Sequence, residues 1–299
     1  MRLKQIHNFV AVVESGSIRA AARKLGVSQP AVTKSVRGLE AELHVQLVQR
    51  TPHGVVPTRS GRAFFERARV AHAELRKAEE EATQFEGEGS VAFGVGPVAA
   101  ILIAPEAVAR FRHQFPRARV RVVEGLAPAL LPLVRNATLD FAMGPRLDVK
   151  LDPAFAFRPL YRADHLVVAR KGHPLRNARS LAELAEADWL SLTGIGQSST
   201  PLDRMFSSAG LSAPRQVVQC ESYNTVVAMV AKTDMLAIIA RLLLAEPFAR
   251  NVLEEIAIAE TMPSLNVGMF TRADAPLTAA AAAMAKAVTA ATRALVRSA

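Results

Sequence analysis

Ile6, Phe9, Val10 and Val13 recur three or four positions apart, the period of one helix face, and Gly16 closes the run. Ser17 can cap a second helix over 18–25, where Ala21, Ala22 and Leu25 form a small apolar face. Gly26-Val27 supplies the turn, Gly26 taking the positive φ of a helix exit. Ser28 then caps a third helix, with Pro30 in its first turn, where a missing N–H costs nothing. In that helix Val32, Val36, Leu39 and Leu43 face inward, while Gln29, Thr33, Lys34 and Arg37 face outward. Gly38 costs it roughly 1 kcal/mol relative to Ala. Residues 47–58 read as two short strands about a turn at 52–54, a wing. Small residues that let two helices cross, followed by a helix with polar donors outside, are helix–turn–helix grammar.

Thr58 can cap a long helix starting at Arg59. Along it Phe64, Ala68, Ala71, Leu75, Ala78, Ala82 and Phe85 step by four and three residues, a heptad seam that predicts pairing with a second copy. Gly87-Glu88-Gly89 breaks it. From Ser90 short apolar runs alternate with helical segments, which predicts an α/β sheet domain. The strands are expected at 91–95, 118–123, 139–143, 165–169, 189–192, 215–220, 235–239 and 265–270. Helices are expected at 100–115, 127–136, 202–209, 223–231 and 277–296. The last of these is Ala-rich and helical by propensity.

The 299 residues suffice for two or three domains. Ten Lys and Arg against three carboxylates fall in residues 1–62, out of a net charge of +10 for the whole chain. That concentration fits a small module meeting a polyanion; a merely solvated basic surface would look the same on charge alone. The single cysteine, Cys220, excludes an internal disulfide framework and a Cys-rich zinc site. It closes an apolar strand, where packing and redox sensing are the two readings. No run of about 18 uninterrupted apolar residues occurs and the N-terminus lacks the form of a signal peptide, so a soluble cytoplasmic protein is expected.

On the third helix Gln29 can read adenine in a major groove, and Lys34 and Arg37 can reach phosphate or guanine. Ser28, Pro30 and Thr33 frame the same edge, and Arg50 and His53 sit where a wing touches backbone or minor groove. His53 has no His or Cys at ligand spacing, so no metal is expected there. The chain shows no GxSxG, HExxH, GxxxxGK[ST] or GxGxxG pattern, Ala99 standing where a third glycine would be. Its carboxylates form no locally spaced acid–base pair, so neither enzyme nor cofactor is expected.

Ser17-x-x-x-Ala21-Ala22-x-x-Leu25-x-x-Ser28-Gln29-Pro30-Ala31-Val32-Thr33, then Leu39-Glu40, Leu47, Arg50 and Thr58-x-x-Gly61, resembles the N-terminal signature of LysR-type transcriptional regulators. Val48 and Thr33 depart from it mildly, where Phe and Ser are usual. Phe111-x-x-x-Phe115-Pro116, Leu139-Asp140-Phe141-Ala142 and His173-Pro174-Leu175 continue the likeness. The resemblance implies a winged helix–turn–helix domain over 1–58, a linker and dimerisation helix over 59–89, and an effector-binding domain over 90–299. That last domain would be α/β and similar to a type 2 periplasmic binding protein. Its lobe I would take about 90–160 and 270–299, its lobe II about 161–269, with crossovers near 160–162 and 267–271.

The resemblance further implies double-stranded promoter DNA and a small-molecule effector as partners, and a homodimer or homotetramer, able to activate or repress. Many relatives offer hydroxyls to a carboxylate effector from the first loop. Here that loop reads Gly96-Pro97-Val98-Ala99-Ala100 and has no side-chain donor. Polar capacity shifts to Ser198, Ser199, Thr200, Ser222 and Arg146, with Pro97, Val98 and Ala99 as an apolar wall. A small organic anion is the expected ligand, although a Ser/Thr cluster before a helix also reads as a plain cap. A nonspecific DNA-coating protein is the rival reading; it would not need the two-lobed remainder.

Overall fold

Caps and glycines set the N-terminal elements. Helix α1 (Leu3–Ser15) buries Ile6, Phe9, Val10 and Val12 and ends where Gly16 takes φ +60°. Ser17 Oγ accepts the Ala20 N–H at 3.4 Å to start α2 (Ile18–Leu25), which stops at Gly26. Ser28 Oγ accepts the Ala31 N–H at 3.3 Å to start α3 (Gln29–Leu43). Strands β1 (Val48–Thr51) and β2 (Gly54–Pro57) pair as an antiparallel hairpin ahead of α4 (Arg59–Thr83). The computed structural model describes residues 1–83, 88–146, 151–193, 201–214, 217–262 and 264–298. One compact unit is built on residues 1–84, another on 85–135 and 139–299.

Backbone chemistry anchors the hairpin at both ends. At its base the Glu40 carboxylate accepts the N–H groups of Leu47 and Val48, at 2.8 and 3.0 Å. Thr58 Oγ1 accepts the Gly61 N–H at 2.9 Å and donates to the Gln46 carbonyl at 2.7 Å. A Cβ on Gly61 would stand 1.7 Å from the Leu47 carbonyl oxygen, so only glycine admits this approach. At the tip, Val55 N–H donates to the Gly16 carbonyl at 2.7 Å. The residues spaced as Leu39-Glu40, Leu47 and Thr58-x-x-Gly61 are thus one mechanical joint.

In the second unit two five-stranded sheets form among the described residues. Lobe I holds β3 (Ser90–Val95), α5 (Pro97–Leu102), α6 (Ala104–Gln114), β4 (Arg119–Glu124), α7 (Ala127–Arg135), β5 (Phe141–Pro145) and β6 (Phe155–Ala163). The chain then builds β7 (His165–Arg170), β8 (Trp189–Leu192), α8 (Pro201–Ser208), β9 (Val217–Cys220), α9 (Tyr223–Lys232) and β10 (Leu236–Ala240) of lobe II. Short helices α10 (Arg241–Leu244) and α11 (Pro247–Arg250) and strand β11 (Leu253–Ile256) complete that lobe. It returns as β12 (Leu265–Arg272) and α12 (Ala279–Ser298) to lobe I. The strand orders are β4-β3-β5-β12-β6 and β11-β7-β10-β8-β9.

Alternation along each strand separates two cores per sheet. Leu166 and Val168 of β7 join Val226 and Val230 of α9, while Val167 and Ala169 join Trp189, Leu202 and Phe206 on the other face. In lobe I, Phe93, Met143 and Met269 meet α6 and α12, and Leu130 and Val134 of α7 cover the opposite face. Helix α12 is long and apolar enough to cross a bilayer by composition. Its Ala281, Met284 and Val288 are fully buried in the lobe I core.

Several local expectations change. The single helix expected over 100–115 is two, α5 and α6, because Pro105 has no N–H to give the preceding turn. Strand β6 is unannounced by periodicity: it lies at a sheet edge and carries Pro159 opposite a register shift between Val267 and Gly268. Strand β11 and helices α10 and α11 are too short to show a period.

Candidate functional site

Because Ser28 fixes where α3 begins, the helix has one sealed and one open side. Val32 and Leu39 are fully buried. On the other side Gln29, Pro30, Thr33, Lys34, Arg37 and Gly38 line an open groove of about 690 Å³. Its lining carries two cations, an amide and a hydroxyl, and no carboxylate. Ser28 Oγ is engaged as a cap acceptor and keeps its own proton to donate. Arg50 on β1 and His53 in the turn are exposed on the wing. Sequence reasoning counted Gly38 only as a cost to the helix. A Cβ there would lie 3.2 Å from Gln5 Nε2, so its absence lets α1 approach the groove-bearing helix.

The seam on α4 divides. Phe64 and Ala68 belong to the unit's own core, Phe64 lying edge-on to Phe9 with centroids 5.4 Å apart. Ala71, Leu75, Ala78 and Ala82 are exposed, Leu75 at 47 %. A leucine left this bare in a row of alanines is an unpartnered apolar stripe. Phe85 lies outside the described residues.

In open α/β sheets ligands sit beyond the C-terminal ends of strands. At that end of lobe I, Gly96 N–H donates to the Met143 carbonyl at 2.7 Å, holding the tips of β3 and β5 together. Gly144, one residue on, has a buried backbone but nothing within 4 Å of where a Cβ would stand. Of the expected apolar wall, Ala99 instead points into the lobe I core and Pro97 is buried, while Val98 packs against the lobe II cluster around Tyr223. Successive residues of an α-helix point about 100° apart, which separates Val98 from Ala99. Ser222 Oγ caps α9 by accepting the Thr225 N–H at 3.4 Å. Arg146 is exposed, with its guanidinium 5.8 Å from the Phe157 ring centre. Ser198, Ser199 and Thr200 lie outside the described residues.

Two phenols near the lobe junction were not singled out from the sequence. Tyr223 accepts the Ala240 N–H at 2.8 Å, and burial pushes its pKa far above the usual tyrosine range. Burial pushes Tyr161 up to about 12. Both therefore remain hydroxyl donors at neutral pH. Cys220 is half-buried and its thiol donates to the Ser222 carbonyl at 3.3 Å. Among the described residues no group of three or more His, Cys, Asp or Glu side chains is placed to hold a metal ion.

Comparison with known proteins accounts for both halves. Residues 3–62 match the bacterial regulatory helix-turn-helix protein, lysR family. Residues 86–293 match the LysR substrate binding domain. Among curated relatives, the transcriptional regulator TdcA of Escherichia coli strain K12 is 29% identical over 85% of this chain and 82% of its own. GbpR of Azospirillum brasilense is 30% identical over 81% of this chain and 72% of its own. Among solved structures, full-length CbnR in complex with its target DNA shares the fold, with TM-score 0.66, 20% identity, and 97% and 100% of the two chains covered. A winged helix–turn–helix ahead of a two-sheet substrate-binding domain, matched along nearly its whole length, makes this chain a member of the LysR family of transcriptional regulators.

Proposed function

We propose that this regulator inserts α3 into the major groove of promoter DNA, with Gln29 reading base edges and Lys34, Arg37 and the wing residues Arg50 and His53 holding phosphates. The observation that carries this reading is the groove on α3, which gathers Gln29, Thr33, Lys34 and Arg37 on one open side while Val32 and Leu39 seal the other. Two copies would pair through the bare Ala71, Leu75, Ala78 and Ala82 stripe, and two such pairs would form a cytoplasmic tetramer. A small organic anion would lodge between the lobes and shift their closure, changing the spacing of the DNA-binding pairs. The open space beside Gly144 supports that location.

Gel shift on the DNA adjoining the protein's own gene tests the first part. Lys34→Ala and Arg37→Ala should each weaken binding to every duplex and lower the salt slope by about one unit per lost phosphate contact. Gln29→Ala should erase preference for the site and keep general affinity. Equal affinity of the native protein for any duplex would instead make it a DNA-coating protein. For the cleft, thermal shift against small organic acids should show a stabilising ligand that Gly144→Leu abolishes. Stabilisation by a neutral sugar or base and by no acid would overturn the anion assignment.

A further inference from the structure

Helices α1 and α4 meet through more than their phenylalanines. The imidazoles of His7 on α1 and His72 on α4 stack, with ring centroids 4.4 Å apart and planes 27° from parallel. Neutral rings at this separation attract, whereas two imidazolium ions would repel. The surrounding charges sharpen the contrast. Arg76, one turn along α4 and itself paired with Glu80 at 3.1 Å, adds a further cation facing His72, while Glu14 of α1 favours its charged form. Glu14 is shared, because it also pairs with Lys24 of α2 at 2.8 Å. Burial first, then the His7 and Arg76 charges, hold His72 below the ordinary histidine value.

We propose that the His7–His72 stack is an acid-sensitive latch, which helps close the α1–α4 junction while the His72 ring is neutral and weakens it when that ring takes up a proton against His7. Helix α1 also backs α3, so the latch bears on the support of the groove-forming helix. The sign follows from linkage: a histidine held low in the closed state binds protons more readily once the junction opens. Closure is therefore at full strength above about pH 6.5 and weakens as pH falls below it. At pH 5.5 the His72 imidazole, if it stays neutral in the closed state, favours opening by at most about 11-fold.

Hydrogen exchange on the full-length protein, corrected for the intrinsic pH dependence of exchange, reads this directly and needs neither DNA nor effector. Segments 3–15 and 59–83 should lose up to about tenfold in protection between pH 7.5 and 5.5. His72→Asn should cut that loss to less than about twofold, and His7→Asn should leave an intermediate loss because His72 is still partly buried. An undiminished loss in His72→Asn, or no loss in the native protein, overturns the latch. Should His72→Asn fail to fold, the native protein's own Cε1–H titration decides: His72 titrating at or above about 6.5 is equally fatal.

Discussion

The N-terminal unit and the effector unit hold their polar groups over different lengths of chain. In the first, the side-chain bonds that set element boundaries are short in sequence: Ser17 to Ala20, Ser28 to Ala31, Glu40 to Leu47. In the second they are long: Asp140 accepts from Ala92, Glu254 from Gly172 and Glu260 from Leu181, the last two about eighty residues apart. Local bonds leave a spacing that any window of sequence displays. Distant bonds leave two unremarkable residues in two separate windows. Exacting single positions occur in both units, Gly61 in the first and Gly268 in the second, where a Cβ would stand 2.4 Å from the Arg158 carbonyl oxygen; only the first lies inside a local spacing.

Three substitutions would break or sharpen that contrast. Gly61→Ala should be the most damaging, since the added carbon falls inside the Leu47 carbonyl and the backbone has to move. A loss of about 3 kcal/mol or more in unfolding free energy is expected, with the wing displaced and DNA binding lost in gel shift. Retained stability would show that the joint is softer than its geometry. Glu40→Ala comes next: it strips two backbone N–H groups of their acceptor, one of them on fully buried Leu47. About 1–3 kcal/mol should be lost in denaturant melts. Arg241→Ala removes a two-pronged ion pair with Glu255, at 2.9 and 3.0 Å, from the exposed surface of lobe II. Solvent screening limits its effect to under about 1 kcal/mol, shrinking further in high salt. A larger cost there would show that this ion pair is less screened than its exposure implies.

Much of the fold was legible because its signals are local. Ser17, Gly26, Ser28 and Pro30 announced the helix boundaries, and apolar runs announced eight strands of the effector unit. Strand β6 was announced only as a crossover near 160–162 by the family resemblance, because Pro159 and its edge position leave no clean alternation; the break between α5 and α6 was missed because the apolar pattern runs through Pro105. The outward set on α3 follows from helix period alone. The cleft does not: that Ala99 turns into the lobe while Val98 turns out depends on where α5 is cut. Likewise, Tyr223 matters because its hydroxyl meets Ala240, a residue that no motif connects to it. Two of the seven seam residues, Phe64 and Ala68, were claimed by the unit's own core because Phe9, on another helix, fills the space beside Phe64.

The return of β12 to lobe I has a consequence for the order in which the protein is made. Strand β12 lies between β5 and β6 and pairs with both, yet about a hundred residues must be translated after β6 before it exists. At about 5–20 residues per second the ribosome takes on the order of ten seconds to supply it. During that interval β5 and β6 wait beside an empty slot, with Met143 and Phe157 uncovered, while the whole sheet of lobe II can already assemble. The lobe begun first is finished last, and its unfilled slot is where a chaperone or a stray strand would find this nascent chain.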